Sequence, residues 1–280
     1  MGERLQINIE GAELVKFTNN AVFRLRHEPL VIRIAGSATM RDRVPKIINV
    51  AHWLAAQQLP AVRLAPGIPQ PLDIDGQLVT IWDAVVETGD RPSGRDLVTL
   101  LRAFHNLPTP PFELPTWNPF HEIRQRIAEA DGIDEDDLAF LNLRSDQIET
   151  DLATIEYVLP QGVIHGDVFT GNVLLASDGP RICDFDSVSV GPREWDLTPV
   201  AVGKLRFNYP GNTQDVVADG YGFDVTQWTG FEVLRQVREL KLVTSVLPIL
   251  NSNPHIREQW RPRFDSFKRD DTAAKWVTYT

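Results

Sequence analysis

The sequence predicts an α+β protein in two lobes: a small antiparallel-sheet N-lobe over residues 1–86 and a larger helical C-lobe over 87–280. Three observations carry this reading. Apolar and polar residues alternate early in the chain, helical spacing takes over after about Val86, and one short hairpin pattern interrupts the helical part. From Leu14 to Ile34 the alternation is seen in Ala21-Val22-Phe23-Arg24-Leu25 and Val31-Ile32-Arg33-Ile34. Thr18-Asn19-Asn20 and His27-Glu28-Pro29 are turn signals between antiparallel strands. Pro45 then opens a helix whose apolar residues Ile47, Ile48, Ala51, Leu54 and Ala55 share a face. A proline-rich loop runs from Pro60 to Pro71, and Leu78-Val79-Thr80-Ile81-Trp82 is a further strand. Beyond Val86, Ser93 caps a helix with Leu97, Leu100, Leu101 and Phe104 on one face, and Asn118-Pro119 begins another with Phe120, Ile123 and Ile127. Strand signals return between Gly162 and Asp186, and the segment from Phe231 to Leu247 is helical again. There is no internal repeat and no low-complexity tract.

Composition narrows the class. With 42% hydrophobic and 24% charged residues the chain is an ordinary globular protein rather than a disordered or fibrous one. The net charge of -10 repels the phosphate backbone of nucleic acid, and no dense Lys/Arg cluster offsets it, so no nucleic-acid partner is expected. Cationic or neutral small molecules suit that charge, although acidity of this degree also serves solubility. The longest apolar stretches, such as Leu240 to Leu250, are broken by Lys241, Thr244, Ser245 and Pro248. They fall short of the ~20 residues a membrane span needs, so no membrane partner is expected. The single cysteine, Cys183, and an N-terminus without an apolar leader point to a cytoplasmic setting.

The specific chemistry lies between Val163 and Ser187. Val173-Leu174-Leu175-Ala176 is a short apolar strand, Ser177-Asp178-Gly179-Pro180 a turn, and Arg181-Ile182-Cys183 the return strand. A turn centred near Asp178 sets Asn172 opposite Asp184 to within a residue or two, and Asp167 precedes Asn172 by five residues. Phosphoryl transfer needs such a set. A hard divalent cation held by oxygens neutralises the phosphates, and a carboxylate takes the proton of the attacking hydroxyl. Magnesium keeps several waters and needs few protein ligands, so one aspartate and one asparagine suffice.

These residues resemble a known family. His165-Gly166-Asp167 followed by Asn172, then Ile182-Cys183-Asp184-Phe185-Asp186, are similar to the catalytic and metal-binding motifs of the aminoglycoside phosphotransferase and choline kinase group, relatives of protein kinases. Gly191-Pro192-Arg193-Glu194-Trp195-Asp196-Leu197 resembles the stretch that enters the next helix there. The resemblance implies a bilobal protein-kinase-like fold and a small-molecule kinase that uses ATP or GTP with Mg2+. It implies that Asp167 is the catalytic base, that Asn172 and Asp184 bind magnesium, and that His165 braces the loop. Asp186 either joins the metal shell or caps the following turn, and Asp196 ties down its helix.

The match is incomplete on the nucleotide side. Protein kinases use a glycine-rich loop and a strand lysine paired to a helix glutamate. Here Lys16-Phe17-Thr18-Asn19-Asn20 stands at the phosphate loop, with the backbone around Thr18, Asn19 and Asn20 as candidate phosphate donors. Arg33 stands where the lysine is expected, and a guanidinium suits that role. The helix from Pro45 offers Lys46, Asn49 and His52 but no glutamate before Leu59, so the partner of Arg33 is unassigned. The base is expected near Thr80 to Val85, against backbone groups of Trp82, Asp83 and Ala84. For the acceptor, the acidic run from Asp131 to Asp151 reads as a solvated helix face or as a site for a polycation. Asp219, Asp224, Glu232 and Glu239 are further acceptor candidates by family position. Trp195, Trp228 and Trp260 read as core, or as stacking surfaces for a sugar. A nucleotide-binding pseudokinase with a regulatory or scaffold role is the alternative reading, supported by the absent glutamate and opposed by the intact Asp167, Asn172 and Asp184.

Overall fold

The structure, a computed structural model, describes residues 7–17, 20–207, 209 and 213–279. In chain order the strands and helices are β1 (Glu13–Phe17), β2 (Asn20–Arg24), β3 (Leu30–Ala35), α1 (Ala38–Ala56), β4 (Leu72–Ile74), β5 (Gln77–Asp83) and α2 (Gly94–His105). There follow α3 (Pro119–Ala128), α4 (Glu135–Leu152), β6 (Gly162–Ile164), β7 (Val173–Ala176), β8 (Gly179–Ile182) and β9 (Ser189–Gly191). The chain ends with α5 (Arg193–Arg206), α6 (Thr213–Tyr221), α7 (Phe231–Thr244) and α8 (Pro254–Lys268). None of the described helices is long and apolar enough to cross a membrane. The chain clusters into two compact units, Met1–Pro115 with Phe169–Val188, and Thr116–Val168 with Ser189–Thr280.

The first unit is built on an antiparallel sheet in the order β1-β2-β3-β5-β4. Alternation places Leu25, Ile32 and Val79 in one small cluster beneath it. Arg33, one residue on from Ile32, lies in register between Val22 on β2 and Thr80 on β5. The helix α1 packs Met40, Val44 and Ile48 against Ala35. It starts seven residues before Pro45, which corrects the reading of that proline as its first turn. Ser37 sets the start, since its Oγ accepts from the Met40 amide at 3.2 Å, and Pro45 is carried inside the helix.

The β7–β8 hairpin pairs Val173 with Ile182 and Ala176 with Gly179. The connection is therefore only Ser177-Asp178, and Gly179-Pro180 belong to the return strand rather than to the turn. Gly179 adopts φ 124°, a conformation that favours glycine. The strands are fixed on both sides: Ile182 donates to Pro60 and accepts from Val62, and Leu175 accepts from the Thr88 amide. This anchoring holds the far end of the hairpin, where Asn172 and Asp184 emerge.

In the second unit β6 and β9 form a short antiparallel pair, Gly162 opposite Gly191. Around it the helices supply one large core that includes Ile123, Leu141, Ile148, Ile164, Trp195, Leu234, Val237, Leu240 and Phe264. Trp260 stacks on Phe264 with ring centres 4.7 Å apart.

Candidate active site

The chemistry-bearing residues divide between the units. In the second, β6 ends at Ile164 and delivers His165-Gly166-Asp167. Gly166 takes φ 85°, a left-handed conformation that favours glycine. One carboxylate collects the two amides of this bend: Asp196 Oδ2 accepts from His165 and Oδ1 from Gly166, both at 2.7 Å. The Trp195 indole donates to the Gly166 carbonyl at 2.9 Å. Both residues lie in the first turn of α5, where a carboxylate also suits the helix dipole. Glu194 beside them accepts from the Val158 and Leu159 amides. The Glu194-Trp195-Asp196 motif is thus a clamp on the preceding chain, and Asp196 ties down the His165 loop rather than only its own helix. His165 is fully buried within that loop.

Asp167 Oδ1 accepts from Arg238 Nη1 of α7 at 2.8 Å. Burial pushes this carboxyl upward, but Arg238, then Lys241 and His165, outweigh it and hold the group down at about 2. It is therefore ionised throughout the neutral range. Lys241 stands 3.4 Å from Glu122 of α3.

In the first unit Asn172, buried, closes a 3₁₀ turn at Thr170–Asn172, and its carbonyl accepts from the Cys183 amide at 3.0 Å. The register that pairs Val173 with Ile182 brings Asn172 level with Cys183, one residue from Asp184. Asp184 adopts φ 69°, a left-handed conformation uncommon for residues other than glycine but accessible to aspartate. Its Oδ2 stands 3.7 Å from Lys16 Nζ. Burial, then a hydrogen bond to Asp184, push the Asp186 carboxyl up to about 6 against the pull of Arg33, which donates directly to Asp186 Oδ2. Lys46 of α1 donates to the carbonyls of Asp186 at 2.6 Å and Val188 at 3.0 Å. The Cys183 thiol is pushed up to about 12, chiefly by burial and then by Asp184, and stays protonated.

Among the described residues no three His, Cys, Asp or Glu side chains gather as a metal-binding group. A magnesium-like cation does not require three, and the adjacent Asp184 and Asp186 carboxylates are hard oxygen donors whose mutual repulsion a divalent cation relieves. The residues present fit such an ion.

The remaining expectations sort as follows. Thr18 and Asn19 lie outside the described residues. Asn20 opens β2, and its Nδ2 lies 3.8 Å from Met40 Sδ. Trp82 is buried, its indole donating to Thr80 Oγ1 and its ring packed on Phe185. The Asp83 and Ala84 amides donate to the Arg63 and Pro29 carbonyls, so those two donors are already engaged within the chain. Glu239 is not an acceptor contact: it is fully buried and paired to Arg206 and Arg235. Asp224 caps the turn at Val225–Gln227, Glu232 pairs with Arg235, and Asp219 is exposed. The acidic run is mostly a solvated face of α4, with Asp146 and Glu149 paired to Arg124 and the buried Asp137 to Arg261 and Lys268. Trp195 and Trp260 are core residues, and Trp228 packs on Tyr157 at the core's edge. Sequence reasoning missed Arg238 and the contacts of Lys46, both long-range pairings with no local signature.

A profile of the phosphotransferase enzyme family matches residues 14–239. No curated protein matches the sequence. Solved structures share the fold at low identity. A choline/ethanolamine kinase family protein from Mesorhizobium loti is 18% identical, with a TM-score of 0.64 over 95% of this chain and 90% of that one. Choline kinase LicA from Streptococcus pneumoniae is 12% identical, with a TM-score of 0.70 over 96% of both chains. A spectinomycin phosphotransferase in complex with ADP and spectinomycin is 17% identical, with a TM-score of 0.61 over 95% of this chain and 92% of that one. The fold is thus the bilobal, protein-kinase-like α+β fold, and with the profile spanning both the sheet and the His165-Gly166-Asp167 loop, the chain belongs to the phosphotransferase enzyme family.

Proposed function

We propose that the protein transfers the terminal phosphate of ATP or GTP to a hydroxyl of a small molecule, with residues 1–86 binding the nucleotide and residues 87–280 carrying the catalytic hairpin and the acceptor site. Asp167 orients the acceptor hydroxyl and receives its proton, on a loop braced by His165. Asn172 and Asp184, with Asp186 beside them, are the residues that would hold Mg2+, and the bound ion supplies charge neutralisation at the phosphates. Arg33 contacts phosphate, the amides of Thr18, Asn19 and Asn20 are proposed as further phosphate donors, and the segment at Trp82 and Ala84 borders the base.

The observation that carries this reading is Asp167 at the end of a loop pinned by Asp196, with Arg238 beside it holding its carboxylate charged. In a loose phosphoryl-transfer transition state the hydroxyl is still largely protonated. The carboxylate then acts first by holding the O–H in line and accepts the proton late, so a low pKa is compatible with the role. The choline and spectinomycin named for the structural relatives make alcohols on cationic small molecules a natural first class of acceptor.

The test uses the whole protein. ATP or GTP with magnesium is expected to raise the melting temperature, and Asp184→Ala to abolish that rise. A screen of amino sugars, aminoglycosides, nucleosides and amino alcohols is expected to give nucleotide consumption with at least one acceptor. That consumption should be lost in Asp167→Asn while nucleotide binding is retained. Failure of both nucleotides to stabilise the protein in the presence of magnesium rejects the reading.

A further inference from the structure

We infer that Asp186 is the positioning residue for Arg33, standing in for the helix glutamate this chain lacks, and that Lys46 fixes the segment on which Asp186 rides. The inference rests on the reading of Arg33 as a phosphate contact. The only acidic residue of α1 is Asp42, and it is exposed. Where the helix meets the 184–188 segment it presents Lys46, whose ammonium bonds two backbone carbonyls. A glutamate at that position would set a carboxylate against those two carbonyl oxygens, whereas a lysine satisfies both. The anion for Arg33 must then come from another element, and it comes from 153 residues away in sequence. The paired cation thus stays on the strand, the helix adds a second cation bonded to backbone, and the anion moves to the segment after the hairpin.

Burial makes the pairing consequential, because the Arg33 and Asp186 side chains are each only 15% exposed. A guanidinium in that setting with no carboxylate pays desolvation without return and is free to turn. Paired, it is held in one orientation and still has N–H donors for a phosphate oxygen. The pair also removes the argument for an inactive protein drawn from the absent glutamate.

Calorimetric titration of ATP and GTP, with and without magnesium and with no acceptor present, tests this in the full chain. Asp186→Asn and Arg33→Met are each expected to weaken nucleotide binding roughly tenfold to a hundredfold. The double variant should be no weaker than Arg33→Met alone, the sign of a coupled pair, and Arg33→Lys should retain most of the affinity. The coupling should persist without magnesium, where a role for Asp186 confined to the metal would vanish. Unchanged binding in Asp186→Asn, losses that multiply in the double variant, or coupling seen only with magnesium each overturn the inference while leaving the kinase reading intact. Wild-type protein that binds neither nucleotide overturns both. Should Asp186→Asn fail to fold, Lys46→Met serves in its place. It leaves both partners intact and is expected to weaken binding by about threefold, a smaller effect than losing a charge partner; unchanged binding there counts against the inference.

Discussion

A carboxylate titrating near 2 is a weak base, so in the proposed reaction Asp167 would hold the hydroxyl and receive its proton rather than pull it away. Its low value is a balance: burial raises it, and Arg238 with Lys241 and His165 lowers it further. The folded value is depressed below the ordinary 3.8, so the pair stabilises the folded state fully above pH 3.8 and loses that contribution as pH falls through about 2. The contribution is about 1–3 kcal/mol. Arg238→Gln removes the nearest counter-charge from this partly buried carboxyl and leaves only Lys241 and His165 to offset desolvation, so its pKa rises. The acid limb of the kcat/KM profile is then expected to move upward by about one pH unit or more, and Arg238→Lys to restore most of the shift. An acid limb that stays in place shows that Arg238 does not tune Asp167. Asn172 and Asp184 could be singled out as candidates because they flank one local pattern of strand, turn and strand, and Asp167 because it stands five residues before Asn172 in a recognisable motif. Arg238 could not, because 71 residues separate it from its partner and its side chain reads as one more charge on an amphipathic helix.

Elements were legible where one signal stood alone. Ser93 caps α2 with a full capping box, its Oγ accepting from the Asp96 amide while Asp96 accepts from its backbone, and Asn118 accepts from two amides at the start of α3. The helix α1 carried two competing start signals. Pro45 matched the rule for a first turn, but Ser37 makes the cap, and apolar burial by Met40 and Val44 repays the extra turns. An exposed proline inside a helix forgoes one backbone bond and crowds the preceding turn. Pro45→Ala is therefore expected to stabilise the protein by about 1–3 kcal/mol, the helix preference less the freedom gained by the unfolded chain, measured by urea unfolding. A destabilised variant would mean that the proline shapes α1 for its contacts with the 184–188 segment. The hairpin register sets Asn172 level with Cys183, within the residue or two expected, and differs by that one residue because Gly179 could be read either as part of the turn or as the first residue of the strand.

For the molecule as a whole, composition reports how much charge there is and not where it lies. The net -10 suggests solvated surface, yet Arg206, Arg235 and Glu239 are interior, and Arg263 is buried beside Tyr279. These groups tie the C-terminal segment to the core. The family profile stops at residue 239, but the core continues through Leu240, Val243, Trp260, Phe264 and Phe267 to Trp276. The Arg206 guanidinium donates to Glu239 at 2.5 Å and to the carbonyls of Asp271 at 2.6 Å and Ala274 at 3.3 Å. It lies over the Trp276 ring at 4.7 Å, and the Trp276 amide donates back to the Arg206 carbonyl. Removing the chain after Asp270 would thus strip a fully buried cation of two acceptors and an aromatic face, and open the core where Trp276 sits. Trp276→Ala removes the ring alone and is expected to cost about 3–5 kcal/mol, with the truncation costing more. The loss should appear in denaturant unfolding as an earlier transition of the helical unit, and amide exchange in α5 and α7 should rise with it. If truncation leaves that transition unmoved, the buried charges are satisfied without the tail, and the segment beyond residue 270 has no structural claim on the core.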